Sequence, residues 1–154
     1  MRILIAFGLF LSITSSASEE TFLSSLNGTW SLVSARNRSL FLEKEQCPNE
    51  ILISSSLEEG VTVSSVDPND VYGFEISAEE IKNKAPDPRS EWGRFEGIVT
   101  LTDHSIKIVQ KLPNIVFGYK ETSSIKMRQD KIVIKTTQHA LFGHLTSICK
   151  YKKN

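Results

Sequence analysis

The chain has 154 residues, 40% of them hydrophobic and 23% charged, and its 18 Lys and Arg balance 18 Asp and Glu. That length fits one domain with a single core, and linkers, internal repeats and low-complexity stretches are absent. A formal charge of zero leaves no net field to draw the chain towards nucleic acid or acidic lipid, so neither is expected as a partner.

Met1-Arg2, the apolar run over 3–13 and Ser15-Ser16-Ala17 have the three parts of a secretory signal peptide, with cleavage expected after Ala17. This predicts a secreted or periplasmic protein whose residues 18–154 form one domain. An apolar run of about 11 residues is too short for the roughly 20 that a membrane span needs. No cysteine follows the run, so a lipid-anchored form is not indicated. Residues 18–26 read as a short helix, with Ser18 as cap and Phe22, Leu23 and Leu26 on one face. That face is expected to cover Trp30 and close one end of the fold.

The first strand is predicted over 29–37. Gly28 suits a sharp turn at its start, and Trp30 can plug the floor of a barrel with a large ring. Strict alternation puts Trp30, Leu32, Ser34 and Arg36 on one face, so an inward Trp30 implies an inward Arg36. The stretch Gly28-Thr29-Trp30-Ser31-Leu32-Val33-Ser34 resembles the Gly-x-Trp opening of lipocalin-like proteins. A second motif of that family, Thr-Asp-Tyr, has a partial echo in Thr102-Asp103-His104, where the tyrosine is missing. The resemblance implies a barrel that holds small apolar molecules. It also implies a cation over the tryptophan from near the chain end, which Lys150 or Lys152 could supply. The family's helix after the barrel has no counterpart in the sequence.

Leu40-Phe41-Leu42 lies on the next connection, as the rim of a pocket or a flap over it. Strands are then expected over 51–55, 61–66 and 71–76, separated by Leu57-Glu58-Glu59-Gly60 and by Asp67-Pro68-Asn69-Asp70. The acidic turn lacks a further oxygen ligand at Val71, so turn chemistry is favoured over calcium. Ser77-Ala78-Glu79-Glu80 is a capping box ahead of a short helix reaching residue 84. The proline-containing stretch 85–93 breaks that helix and carries Trp92, either a portal aromatic touching a partner or a ring tucked onto the barrel rim.

Five more strands are predicted over 94–102, 105–112, 115–127, 131–139 and 143–151, joined by tight turns. The whole reads as an all-β, antiparallel up-and-down barrel of eight or nine strands with a short N-terminal helix. Its inner face is expected to carry Phe95, Val99 and Leu101, Ile106 and Ile108, Ile115, Phe117 and Tyr119, Ile132 and Ile134, and then His144, Thr146 and Ile148. Gln110, Glu121, Thr136 and Arg36 extend the same faces. Either these polar groups contact a bound ligand or they sit at solvated strand ends. The candidate ligand-binding residues are therefore Arg36, Phe95, Gln110, Phe117, Tyr119 and Glu121.

Cys47 and Cys149 are an even pair in an exported chain and read first as a disulfide closing a long loop. His104, His139 and His144 border turns and read as solvated; two facing histidines do not make a zinc site. No hydrolase elbow, zinc helix, phosphate loop or dinucleotide fingerprint is present, so neither catalysis nor a cofactor is expected. Asn27-Gly28-Thr29 and Asn37-Arg38-Ser39 match the glycosylation sequon, which matters only in a eukaryotic host. Two functions follow: a barrel holding a small apolar or amphipathic ligand, or a module that binds a protein partner through Trp92 and the 40–42 connection.

Overall fold

The computed structural model describes residues 17–40, 47–70, 72–83, 96–111, 120–140 and 143–154. Helix α1 covers 17–26 and leads into strands β1 (Gly28–Leu40), β2 (Glu50–Ser56), β3 (Gly60–Ser65) and β4 (Gly73–Ser77). Helix α2 (Ala78–Asn83) follows, then β5 (Glu96–Leu101), β6 (Ser105–Lys111), β7 (Lys120–Arg128), β8 (Lys131–Ala140) and β9 (Gly143–Lys153). All nine strands form one antiparallel sheet in the order β4-β3-β2-β1-β9-β8-β7-β6-β5. Every neighbour but one is also a neighbour in sequence, the expected meander. The exception is β1 with β9, which pair from Trp30 opposite Lys153 to Leu40 opposite His144 and join the two halves of the chain.

The sheet curls into a half-barrel whose described edges are β4 and β5. Helix α2 packs against β3, β4 and β5, spanning the two edges. Its start is the expected capping box: Glu80 N donates to Ser77 Oγ at 3.2 Å, and Ser77 N donates to Glu80 Oε2 at 2.8 Å. The reciprocal bonds satisfy two amides that a helix otherwise leaves open, and they explain a buried glutamate beside the core residue Ile81.

Alternation fixes which side chains turn inward. On β2 the buried residues are Ile51, Ile53 and Ser55, with Leu52 and Ser54 exposed between them; on β8 they are Ile132, Ile134 and Thr136. The isoleucines among these meet Phe22, Leu23 and Leu26 of α1, together with Trp30 and Tyr151, in one core cluster.

The C-terminal carbonyls of α1 are paired in turn by the strands and by their own helix. Ser25 Oγ donates to Phe22 O (2.5 Å), Ser55 Oγ to Leu23 O (2.5 Å), Asn27 N to Ser24 O (3.4 Å) and Lys153 Nζ to Ser25 O (3.1 Å). The Trp30 indole Nε1 donates to Leu26 O at 2.7 Å. Asn27 then uses its side chain as a strand residue would: Nδ2 donates to Ser55 O at 2.9 Å while Oδ1 accepts from Ser55 N at 2.5 Å. Gly28 has φ +123°, and a Cβ there would stand 3.3 Å from Lys153 Cε. The missing side chain thus serves both the turn and the passage of Lys153 towards Trp30.

Two expectations about side-chain direction are corrected. The pairing of β1 with β9 shifts register between Leu32 and Ser34, leaving Val33 as an extra, 54% exposed residue. Such a bulge reverses the alternation that follows it. Arg36 therefore pairs with Ile148 on the outer face and is exposed, whereas Ala35 and Asn37 share the inner face with Cys149 and Ser147. On β9 the buried residues are Leu145, Ser147, Cys149 and Tyr151, so His144, Thr146 and Ile148 point outward. The cation near Trp30 is likewise neither Lys150 nor Lys152. It is Lys153, whose Nζ lies 5.4 Å from the ring centroid, because the register sets Lys153 opposite Trp30.

Cys47 and Cys149 form the expected disulfide, with their Cα atoms 5.7 Å apart and 102 positions apart in sequence. It ties the segment ahead of β2 to the buried face of β9. In the chain-entropy account a loop of that length contributes about 4–5 kcal/mol. The double variant Cys47→Ser, Cys149→Ser is expected to lose roughly 2–5 kcal/mol in chemical denaturation, and the oxidised wild type to show no free thiol when denatured. Two titratable thiols in the freshly isolated native protein would contradict the bridge.

Candidate functional site

Cross-strand register arranges the concave face into rows that run across the strands. Nearest α1 lies the row of Met127, Ile132, Tyr151 and Leu32. Next come Leu101, Ile106, Ile125, Ile134, Cys149 and Ala35. The third row is mixed: Val99 and Ile108 are followed by Ser123, Thr136, Ser147 and Asn37. The fourth holds Glu121, Gln138, Leu145 and Ser39. The face therefore grades from a closed apolar floor at α1 to hydroxyl, amide and carboxylate groups at the opposite end.

The polar rows are tied together by hydrogen bonds. Ser147 Oγ donates to Asn37 Oδ1 at 2.5 Å across the β1–β9 pairing. Gln138 Nε2 donates to Glu121 Oε2 at 3.3 Å, and Ser123 Oγ reaches Glu121 Oε1 at 3.5 Å. Ser123, Thr136 and Ser147 are buried, yet each stands beside groups that can donate or accept, which is what makes a polar layer affordable inside a sheet. Ala35 faces inward by register and is nonetheless exposed, so the concave face is open to solvent at β1.

Of the residues singled out from sequence, Glu121 lies half-buried in the polar row, and Gln110 stands opposite it in the β6–β7 register. Arg36 is on the outer face. Phe95, Phe117, Tyr119, Trp92 and the 41–42 part of the Leu40-Phe41-Leu42 connection lie outside the described residues. Ser123 and Gln138 were missed, although Ser123 falls on the same odd-numbered alternation as Glu121 and Ile125. Asn37 is turned inward by the bulge, which has no signature in residue type, whereas Ser147 shares the odd-numbered face of β9 with Leu145, Cys149 and Tyr151.

The remaining polar features are structural. In the acidic turn, Asn69 N and Asn69 Nδ2 both donate to Asp67 Oδ1, and Tyr72 N donates to Asp70 Oδ1. These are side-chain-stabilised turns. Thr102 Oγ1 joins Ser105 in closing the β5–β6 turn, and His104 Nδ1 contacts Asp103 Oδ1. His139 and His144 face each other across the last hairpin with ring centroids 4.6 Å apart. Among the described residues no group of three or more His, Cys, Asp or Glu is placed to hold a metal ion, and no helix is long and apolar enough to cross a membrane.

The arrangement defines a curled antiparallel sheet with a graded concave face, plugged at one end by a helix. In comparisons with known proteins, no family model, no curated protein and no solved structure matches the chain.

Ser147→Ala removes the donor to Asn37 with little change in bulk. Because Ser147 is buried and Asn37 half-buried, the variant is expected to be destabilised by about 1–2 kcal/mol in urea unfolding. An unchanged midpoint would mean that this bond does not order the polar layer.

Proposed function

We propose that the concave face binds one small apolar or amphipathic molecule at its open side, with its apolar part towards Leu32 and Ala35 and its polar end among Asn37, Gln138 and Glu121. The observation that carries this reading is the gradient across four registered rows. A sheet that served only to close a core would have no use for a hydrogen-bonding layer on its inner side, since each buried polar group costs free energy unless it is paired. An amphipathic guest matches both ends of the gradient.

The lipocalin-like resemblance of Gly28-Thr29-Trp30 supports the same reading, as do Lys153 over Trp30 and the meander that joins β1 to β9. The disulfide is consistent with an oxidising, extracellular setting, where the signal-peptide features of residues 1–17 would deliver the chain. In such a setting a carrier or scavenger of a poorly soluble molecule needs no catalytic group.

The test is a fluorescent fatty-acid titration of the wild type against Ala35→Trp, which places a bulky ring on the open inner face at an exposed position. Saturable binding with one site is expected for the wild type, and its loss is expected in the variant at unchanged melting temperature. No binding to the wild type, or equal binding to both, would refute the assignment of the concave face.

A further inference from the structure

The zero net charge conceals a spatial separation. Residues 105–154 carry ten of the 18 Lys and Arg but only two of the 18 Asp and Glu, Glu121 and Asp130. Glu121 turns inward, so the outer face of the strands in this half is left to the cations. Arg128 stands opposite Lys131, and Lys131 stands opposite Lys152, three exposed cations in adjacent strands. One row further along, exposed Lys126 and Lys150 flank Val133. In the next, exposed Lys135 lies between Ser124 and Ile148, and Ile148 faces exposed Arg36, which the bulge at Val33 has turned outward.

Like charges placed directly opposite each other in a sheet are destabilising. Here the described counter-charge is a single ion pair, Lys152 to Asp130 at 3.7 Å. The fold thus keeps a repulsive arrangement where neutral residues would serve stability better. That cost is offset when a polyanion covers the face.

We propose that the convex face of β6 to β9 and β1 binds a linear anionic polysaccharide. Beside the row of Lys135 and Arg36 lies an in-register row of Thr122, Thr137 and Thr146, which offers hydroxyl groups to sugar hydroxyls, sulfates and carboxylates. Among its described residues the face carries no Phe, Tyr or Trp, so it has neither a stacking platform for nucleic-acid bases nor the rings that seat a protein at a lipid interface. A flat bilayer touches a convex sheet only along a band, whereas a flexible chain follows its curvature. This surface is opposite the concave face, so the proposal stands independently of the small-ligand reading.

Heparin is the probe. The wild type is expected to bind immobilised heparin at physiological ionic strength, with an affinity that falls steadily as salt rises, as counterion release requires. Lys131→Glu, at the centre of the triad, is expected to weaken binding about tenfold. Lys82→Glu on α2 changes the net charge equally and is expected to leave binding unaltered. Both sites are exposed, and matched melting temperatures establish that both variants are folded. The proposal is overturned by absence of heparin binding, by equal losses in the two variants, or by tighter binding to phosphatidylserine vesicles or duplex DNA at the same ionic strength.

Discussion

The rest of the structure depends on how the C-terminal end of α1 is received by the sheet. A helix leaves its final carbonyl groups without partners, and burying them unpaired would cost more than the apolar contacts of a short helix return. Here Ser55 of β2, Trp30 of β1 and Lys153 of β9 each supply a donor, so three strands are registered against one helix end. The same contacts set the tryptophan as floor of the half-barrel and require Gly28 beside it. Because Lys153 reaches the helix only if β9 runs antiparallel to β1 to its end, the helix also fixes the junction between the two halves of the sheet.

From that floor the sheet must accommodate a change of environment along its length. Near α1 the inner rows are Ile, Leu, Met and Tyr, and burial of such groups is the main favourable term in folding. Two rows further on, Val99, Ile108 and Leu145 share the inner positions with Ser, Thr, Asn, Gln and Glu, which contribute little by burial and must find hydrogen-bond partners. The bulge at Val33 is what brings Asn37 over Ser147; without it, continued alternation would put Arg36 on the inner face opposite buried Ser147. One extra residue in one strand therefore sets Asn37 on the concave face and Arg36 on the convex one.

Much of this could be read from the sequence, and the exceptions have physical causes. Period-two alternation located the strands within a few residues, and Ser77 with Glu80 marked the start of α2, because these signals are local. The disulfide followed from an even cysteine count. Arg36 was misplaced since a bulge depends on the partner strand, not on residue type at Val33, and the face of β9 because both of its faces carry apolar residues, Ile148 on one and Leu145 and Tyr151 on the other. Lys153 was overlooked as the cation at Trp30 because register, rather than nearness to the chain end, selects it. The basic face was invisible to a net charge of zero: its members come from five strands, and only the sheet order makes them neighbours.

The central claim is that the graded concave face exists to hold a guest. Native mass spectrometry of the protein isolated from its own source tests it most directly, since a molecule matched to an apolar floor and a polar rim should survive purification. The account predicts a population heavier than the polypeptide by the mass of one small apolar or amphipathic molecule, released on denaturation. A single species at the mass of the polypeptide alone, which also fails to take up added fatty acid, would contradict it.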